Sequence, residues 1–328
     1  MSGVQRLHVG SDEDGMRLDR WFRHHFPQVT QGYLQKLLRT GQVRVDGARA
    51  KAADRLSEGQ EIRVPPVPSG DERRPRPKPG LSAADRDFLE SITLYEDDDL
   101  LILNKPSGIA VQGGTKTTRH IDGLLAGLGE DADTRPRLVH RLDRDTSGVL
   151  VVAKKRQAAA KMGRMFQTRS VRKIYWAVVR GLPKPPQGKV DAALIKAATP
   201  DGDRVRAARP GEHDEAQKAV THFSVVDHAA QKFSWMSLKP VTGRQHQLRA
   251  HMAMLGHPII GDDKYGDDRE LPDAIENRLH LHARRIAFPH PATGKTVDVT
   301  APLPEHMTRT FAVLGFQVNR VTGDGGED

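Results

Sequence analysis

The sequence predicts an α+β chain built as two domains, and three observations predict it. Pro65 to Gly80 reads P-P-V-P-S-G-D-E-R-R-P-R-P-K-P-G, and its six prolines exclude regular helix or sheet and mark a semi-extended linker. Across that break the period changes, from apolar residues at helical spacing to alternating and β-branched runs. The length of 328 residues suits roughly two domains with at least one large core.

Before the linker, Leu18, Trp21, Phe22 and His25 fall on one face of a helix, as do Leu34, Leu37 and Leu38 on a second. Gly41 ends the second helix as a C-cap glycine. Val43 and Val45 alternate with Gln42 and Arg44, and Asp46-Gly47 is a hairpin turn. Residues 1–11 are expected as a mobile leader, 12–65 as a small domain and 66–90 as the basic linker, with a short helix over Ser82 to Glu90. Residues 91–320 form the second domain, and 321–328 an acidic tail.

After the linker, Leu100 to Leu103 is a buried strand ending at Lys105-Pro106. The Gly113-Gly114-Thr115-Lys116-Thr117 run lacks the spacing of a nucleotide-triphosphate loop. Gln157 to Thr168 is a helix, and Ser170 to Gly181 a strand in which Tyr175 faces away from Ile174 and Trp176. Lys184 to Ala219, rich in Pro, Gly and charge, reads as a loop or weak hairpin. Two strands follow, Phe223 to Asp227 and Trp235 to Pro240, then a helix from about Gln245 to Leu255 that buries Leu248 and Met252 and ends at Gly256. Leu279 to Phe288 and Thr296 to Thr300 are the last strands.

The composition narrows the function classes. A net charge of +9 and a pI near 9.8 favour a polyanionic partner. Between Arg17 and Arg55, nine Lys or Arg stand against three Asp or Glu. The absence of cysteine excludes disulfides, thiolate nucleophiles and cysteine-ligated metal centres. With no secretory signal and no apolar run approaching the ~18 residues of a membrane helix, cytoplasm is the expected compartment and no membrane partner is expected. His246, His251 and His257 lack the H-E-x-x-H arrangement, and Asp262, Asp263, Asp267 and Asp268 lack the spacing of a calcium loop, so no metal is expected.

The stretch with the most chemistry is Arg137 to Ala153, R-L-V-H-R-L-D-R-D-T-S-G-V-L-V-V-A. Its ends are apolar strand material. Between them a turn carries Arg141, Arg144, Asp143 and Asp145, and burying such charges for stability alone is costly. A carboxylate held beside arginines on a rigid platform is a candidate nucleophile or base.

H-R-L-D-R-D-T-S-G, His140 to Gly148, resembles the signature loop of the RluA-type pseudouridine synthases. K-P-S-G-I-A-V after the Leu100 strand, K-I-Y-W-A-V-V-R-G around Tyr175, V-T-G-R-Q-H-Q-L-R-A-H from Val241 and the closing L-H-A segment are similar to further blocks of that family. The unit before the linker resembles an S4 RNA-binding domain, and the two-domain form looks closest to the RluC and RluD branch that acts on large-subunit ribosomal RNA. The resemblance implies a mixed, mostly antiparallel central sheet with flanking helices, preceded by the S4-like domain. It implies isomerisation of uridine to pseudouridine without a cofactor, with Asp143 as the reacting carboxylate, Arg244 pairing with it and Tyr175 against the target base. RNA contacts are expected from Arg141, the candidate for entering the vacated base stack, and from His140, Lys105, His246, Arg17, Arg20, Lys36, Arg39 and Arg44. The expected partner is RNA, ribosomal RNA or a partly assembled ribosomal particle, and the expected state is a monomer. A non-catalytic RNA-binding or assembly factor that kept the fold, or a nucleoside hydrolase, are the competing readings.

Overall fold

The computed structural model describes residues 3–67, 80–114, 119–129, 134–199, 202–209, 211–212 and 215–318. The chain divides into two compact units, Met1–Lys78 and Pro79–Asp328, with the boundary inside the Pro-rich stretch. Most of that stretch and the acidic tail lie outside the described residues.

The first unit runs β1 (Gln5–His8), α1 (Leu18–His25), α2 (Gln31–Arg39), β2 (Arg44–Val45), β3 (Ala48–Arg49) and β4 (Glu61–Val64), its strands ordered β1-β4-β2-β3. The helical periods hold: Leu18, Trp21 and Phe22 of α1 and Leu34, Leu37 and Leu38 of α2 are buried together. Thr30 caps α2 by accepting the Tyr33 N–H at 3.3 Å. Asp46 and Gly47 both take positive φ, 49° and 77°, the geometry of a two-residue turn between β2 and β3. The expected leader over residues 1–11 is corrected. Gln5–His8 pairs antiparallel with β4, Leu7 opposite Ile62, because Leu7 and Val9 alternate with polar residues and pack on the core.

Glu13 is buried under α1. Burial pushes its pKa up, but hydrogen bonds with the Gly10 N–H (3.1 Å), His25 (2.7 Å) and the Trp21 Nε1–H (2.8 Å) outweigh that and hold it below the usual 4.5. A depressed carboxylate contributes stability above its unfolded pKa and loses it as pH falls through the folded one. Glu13→Gln is therefore expected to flatten the acid loss of α1 protection seen by hydrogen exchange; an unchanged acid profile would put the sensitivity elsewhere.

The second unit begins with α3 (Ala83–Ser91), β5 (Thr93–Glu96), β6 (Leu100–Lys105), α4 (Ile121–Leu125), β7 (Arg137–Leu138), β8 (Ser147–Ala153), α5 (Arg156–Thr168) and β9 (Arg172–Arg180). It continues through β10 (Gln187–Thr199), β11 (Gly202–Ala207), β12 (Gln217–Ala229), β13 (Phe233–Pro240), α6 (Gln247–Met254), β14 (Leu281–Pro289), β15 (Thr296–Thr300) and α7 (Glu305–Leu314). Its strands form one sheet in the order β11-β10-β12-β13-β9-β14-β8-β6-β5, with β15 added to β14 and β7 to β8. The pairings are antiparallel except β14 with β8, so the sheet is mixed as expected.

Of the loop or weak hairpin expected over residues 184–219, the hairpin forms, as β10 and β11, and it is more extensive than expected. β10 pairs with β11 on one side and β12 on the other over long registers, and Val190, Leu194, Ile195 and Val205 are buried. A ladder that satisfies its backbone on both edges tolerates the charged outward residues that hide it in the sequence. Helix α7, which buries Met307 and Phe311 against Trp235, is likewise additional to the sequence expectation.

Candidate active site

The strand order places the chemistry. β7 and β8 form a hairpin whose loop, residues 139–146, carries Asp143. At its foot Gly148 pairs with Lys105 of β6 on one side and with Ala283 of β14 on the other, and Ala283 in turn lies opposite Tyr175 of β9. Adjacent strands are about 4.8 Å apart, so this register brings Tyr175 to within two strands of the loop. Gly148 has φ +106°, and a Cβ there would lie 2.3 Å from the Ala283 carbonyl oxygen, so only glycine fits.

The loop is pinned from below. The Ser147 hydroxyl lies 2.9 Å from Nδ1 of His282, whose Nε2 faces the Ala301 carbonyl at 3.3 Å; burial holds this ring's pKa down at about 3, so it is neutral. Lys105 is fully buried and its Nζ donates to the carbonyls of Pro106, Ile109 and Arg144 at 2.8, 2.9 and 2.8 Å. Ser107 Oγ donates to Asp145 O, and Arg144 Nε donates to Gly108 O. The K-P-S-G segment thus clasps the turn that follows Asp143. Burial pulls the Lys105 ammonium down to about 7, opposed by the charges of Asp145 and Asp143. Lys105→Met should strand three carbonyls, cost roughly 2–4 kcal/mol in denaturant unfolding, and lower kcat about tenfold through the displaced turn.

A cleft with a volume of about 170 Å³ opens beside the loop, and Asp143, Arg141, Tyr175, Arg244, His246 and Arg249 are among its lining residues. Burial and the Asp143 charge push the Tyr175 phenol well above its usual 10, so it is an uncharged hydroxyl on an apolar wall. His246 Nε2 lies 4.0 Å from Asp143 Oδ1. Arg249, on α6, is buried, and its guanidinium reaches Asp262 through Nε and Nη2 at 2.8 and 2.5 Å and Asp263 at 2.6 Å. Burial works against its charge, but hydrogen bonding to Asp262 and the charges of Asp262, Asp143 and Asp263 raise its pKa above the usual value. Gln247 fixes the turn into α6: its Oε1 accepts from Thr242 Oγ1 and the Arg244 N–H, and its Nε2 donates to Val220 O and Thr221 Oγ1.

Several expected residues sit elsewhere. Arg244 lines the cleft but is exposed, its Nε donating to Lys218 O at 3.1 Å, and among the described residues no ion pair joins it to Asp143. Its exposed position at the mouth leaves the buried guanidinium of the site to Arg249, five residues on. Lys105 and His140 are corrected as RNA contacts. Lys105 is spent on backbone carbonyls, and His140 Nε2 accepts the Val151 N–H at 2.8 Å while its ring stacks on Phe166, burial holding it neutral with a pKa of about 3. Arg141 is exposed at the cleft. In the first unit, Arg17 is tied to Asp19, and Arg44 donates to Gly41 O and Gly47 O. Arg20, Lys36 and Arg39 are exposed.

Asp97, Asp99 and His290 bring potential metal-ligand atoms within 4.8 Å of one another, away from the cleft. Their atoms already have partners: His290 Nδ1 accepts from the Ala292 and Thr293 N–H groups, its Nε2 meets Asp97 at 3.0 Å, and Asp99 faces Lys155.

Residues 99–254 match the model of the family described as RNA pseudouridylate synthase. "Ribosomal large subunit pseudouridine synthase C" of Escherichia coli strain K12 is 39% identical over 317 residues, covering 95% of this chain and 97% of that protein. The chain belongs to the RNA pseudouridylate synthase family. The protein of the same name from Pasteurella multocida strain Pm70 is 38% identical over 318 residues, covering 96% of this chain and 95% of that one. The solved structure of "Human RNA Pseudouridylate Synthase Domain Containing 4" superposes with a TM-score of 0.58 at 28% identity, covering 71% of this chain and 97% of that one. The pseudouridine synthase fold and an isomerase activity on RNA therefore stand for this chain.

Proposed function

We propose that the protein isomerises uridines of large-subunit ribosomal RNA to pseudouridine, with Asp143 as the reacting carboxylate. The observation that carries the assignment is the cleft in which the Asp143 carboxylate, the uncharged Tyr175 hydroxyl and the buried Arg249 guanidinium share one electrostatic environment. The bond from ribose C1′ to uracil N1 breaks, the base turns, and a bond from C1′ to C5 forms while C5 loses its proton and N1 gains one. Asp143 serves this either by adding to C1′ or by removing the proton at C2′. Tyr175 packs against the base, and its raised pKa suits a hydroxyl that hands protons on rather than a phenolate. Arg249 sets a buried positive charge near the Asp143 carboxylate while its own hydrogen bonds go to Asp262 and Asp263.

A stacked uridine must leave its helix to enter the cleft, at a cost of a few kcal/mol. Arg141, exposed at the mouth, is suited to fill the vacated stack. The ribosomal substrate is supported by the names of the bacterial relatives, which match nearly end to end. A ribosomal substrate in turn suits a cytoplasmic location, and the working unit is taken as a monomer. The S4-like reading of the first unit is supported by its two helices, its hairpin and the exposed Arg20, Lys36 and Arg39. No helix among the described residues is long and apolar enough to cross a membrane.

Tritium release from C5-labelled uridine in large-subunit ribosomal RNA tests the activity, and a well-folded protein that releases none would favour a binding or assembly role. Alanine at Arg20, Lys36 and Arg39 together is expected to weaken RNA binding and to reduce the salt slope by about one for each phosphate no longer neutralised, with single-turnover rates at saturation unchanged.

A further inference from the structure

We infer that Tyr265 is a positioning residue that locks His246 in the Nε2–H tautomer, so that a neutral N–H donor is aimed at the Asp143 carboxylate. The inference follows from counting donors around one hydroxyl. A backbone N–H only donates, and the Val205 N–H of β11 lies 2.7 Å from Tyr265 Oη, so it occupies one of the oxygen's lone pairs. The hydroxyl proton then needs an acceptor, and His246 Nδ1 lies 3.1 Å away. With Nδ1 accepting, the neutral ring carries its proton on Nε2, the nitrogen 4.0 Å from Asp143 Oδ1. The opposite tautomer would leave the tyrosine proton without a partner in a half-buried position and turn a lone pair toward a carboxylate.

The surroundings hold this arrangement in place. His246 takes a left-handed backbone, φ 50° and ψ 18°, at the start of α6, a strained conformation that survives only where neighbours over-determine it. Its ring meets that of Tyr265 edge-on at 5.7 Å. Asp262 accepts the Tyr265 N–H at 2.9 Å and also holds Arg249, whose guanidinium carbon lies 5.4 Å from the centre of the Tyr265 ring. Burial, together with the charges of Arg249 and Lys264, lowers the His246 pKa against the opposing charges of Asp143 and Asp262, which keeps the ring neutral. One hydroxyl thus ties the outlying strand β11 to the reacting carboxylate. The donor faces the Asp143 carboxylate at 4.0 Å without bringing a full opposing charge.

This inference rests on Asp143 as the reacting group, and its test separates the two. In ¹⁵N-histidine NMR of the full chain, the His246 resonances are expected to show an unprotonated Nδ1 and a protonated Nε2, and Tyr265→Phe should give a mixture of tautomers. This readout does not depend on turnover. Kinetically, Tyr265→Phe should lower kcat about five- to tenfold with KM for RNA within about twofold, the size of one lost hydrogen bond. His246→Gln offers an amide donor near the Nε2 position, and in that background Tyr265→Phe should have little further effect. A protonated Nδ1 in the wild type, or an equal loss from Tyr265→Phe in both backgrounds, would overturn the proposal and leave Tyr265 as a packing residue for β11. Loss of the Asp143 assignment with the tautomer intact would overturn only the reading on which it rests.

Discussion

Asp143→Asn is expected to reduce pseudouridine formation by roughly 10⁴-fold or more while RNA affinity stays within a few-fold. The amide is nearly isosteric, and the loop is held by Lys105, Ser147 and Arg144 rather than by the carboxylate, so the fold should be unaffected. What disappears is the anion that attacks the sugar or takes its proton. Single-turnover tritium release beside filter binding measures both quantities. Normal turnover in the variant would remove Asp143 from the chemistry.

The second large effect is expected at Arg249. Arg249→Met keeps the bulk but leaves Asp262, whose side chain is fully buried, without its guanidinium. An uncompensated buried carboxylate of this kind costs about 3–5 kcal/mol, less whatever the Lys264 and Tyr265 N–H groups still satisfy. Adding Asp262→Asn should restore much of that stability, measured by denaturant unfolding. It should not restore turnover, because the positive charge near Asp143 remains missing. Recovery of both stability and rate in the double variant would reduce Arg249 to a structural role.

The contrast between Arg249 and Arg244 shows what can be read from the sequence. The spacing around Gly243 places a helix after Arg244 with Leu248 and Met252 inward, as observed. Neither spacing nor charge reveals that Arg244 stays in solvent while Arg249 is drawn inside, because the deciding partner, Asp262, lies across a turn in a run of acids. The same holds for Lys105 and His140. Lys105 ends β6 at the K-P-S-G block and His140 lies within the Asp143 loop, and a cation or a histidine there reads as a nucleic-acid contact. Burial instead turns one toward three carbonyls and the other toward a strand N–H. Local patterns do carry the helices of the first unit, its Asp46-Gly47 turn and the orientation of Tyr175, since each depends on neighbours within a few residues. The β10–β11–β12 ladder escapes them because charged outward residues mask the alternation of its hairpin, and β10 meets β12 only across that hairpin.

The parallel pairing of β8 against β14 in the large sheet has a consequence for synthesis. The platform beneath Gly148 includes residues 282 and 283, and parallel partners cannot be reached by a local hairpin. A nascent polypeptide that has emerged only as far as α6 holds its reactive carboxyl on an unfinished floor. The floor beneath the Asp143 loop is therefore complete only once β14 has been made and has paired with β8.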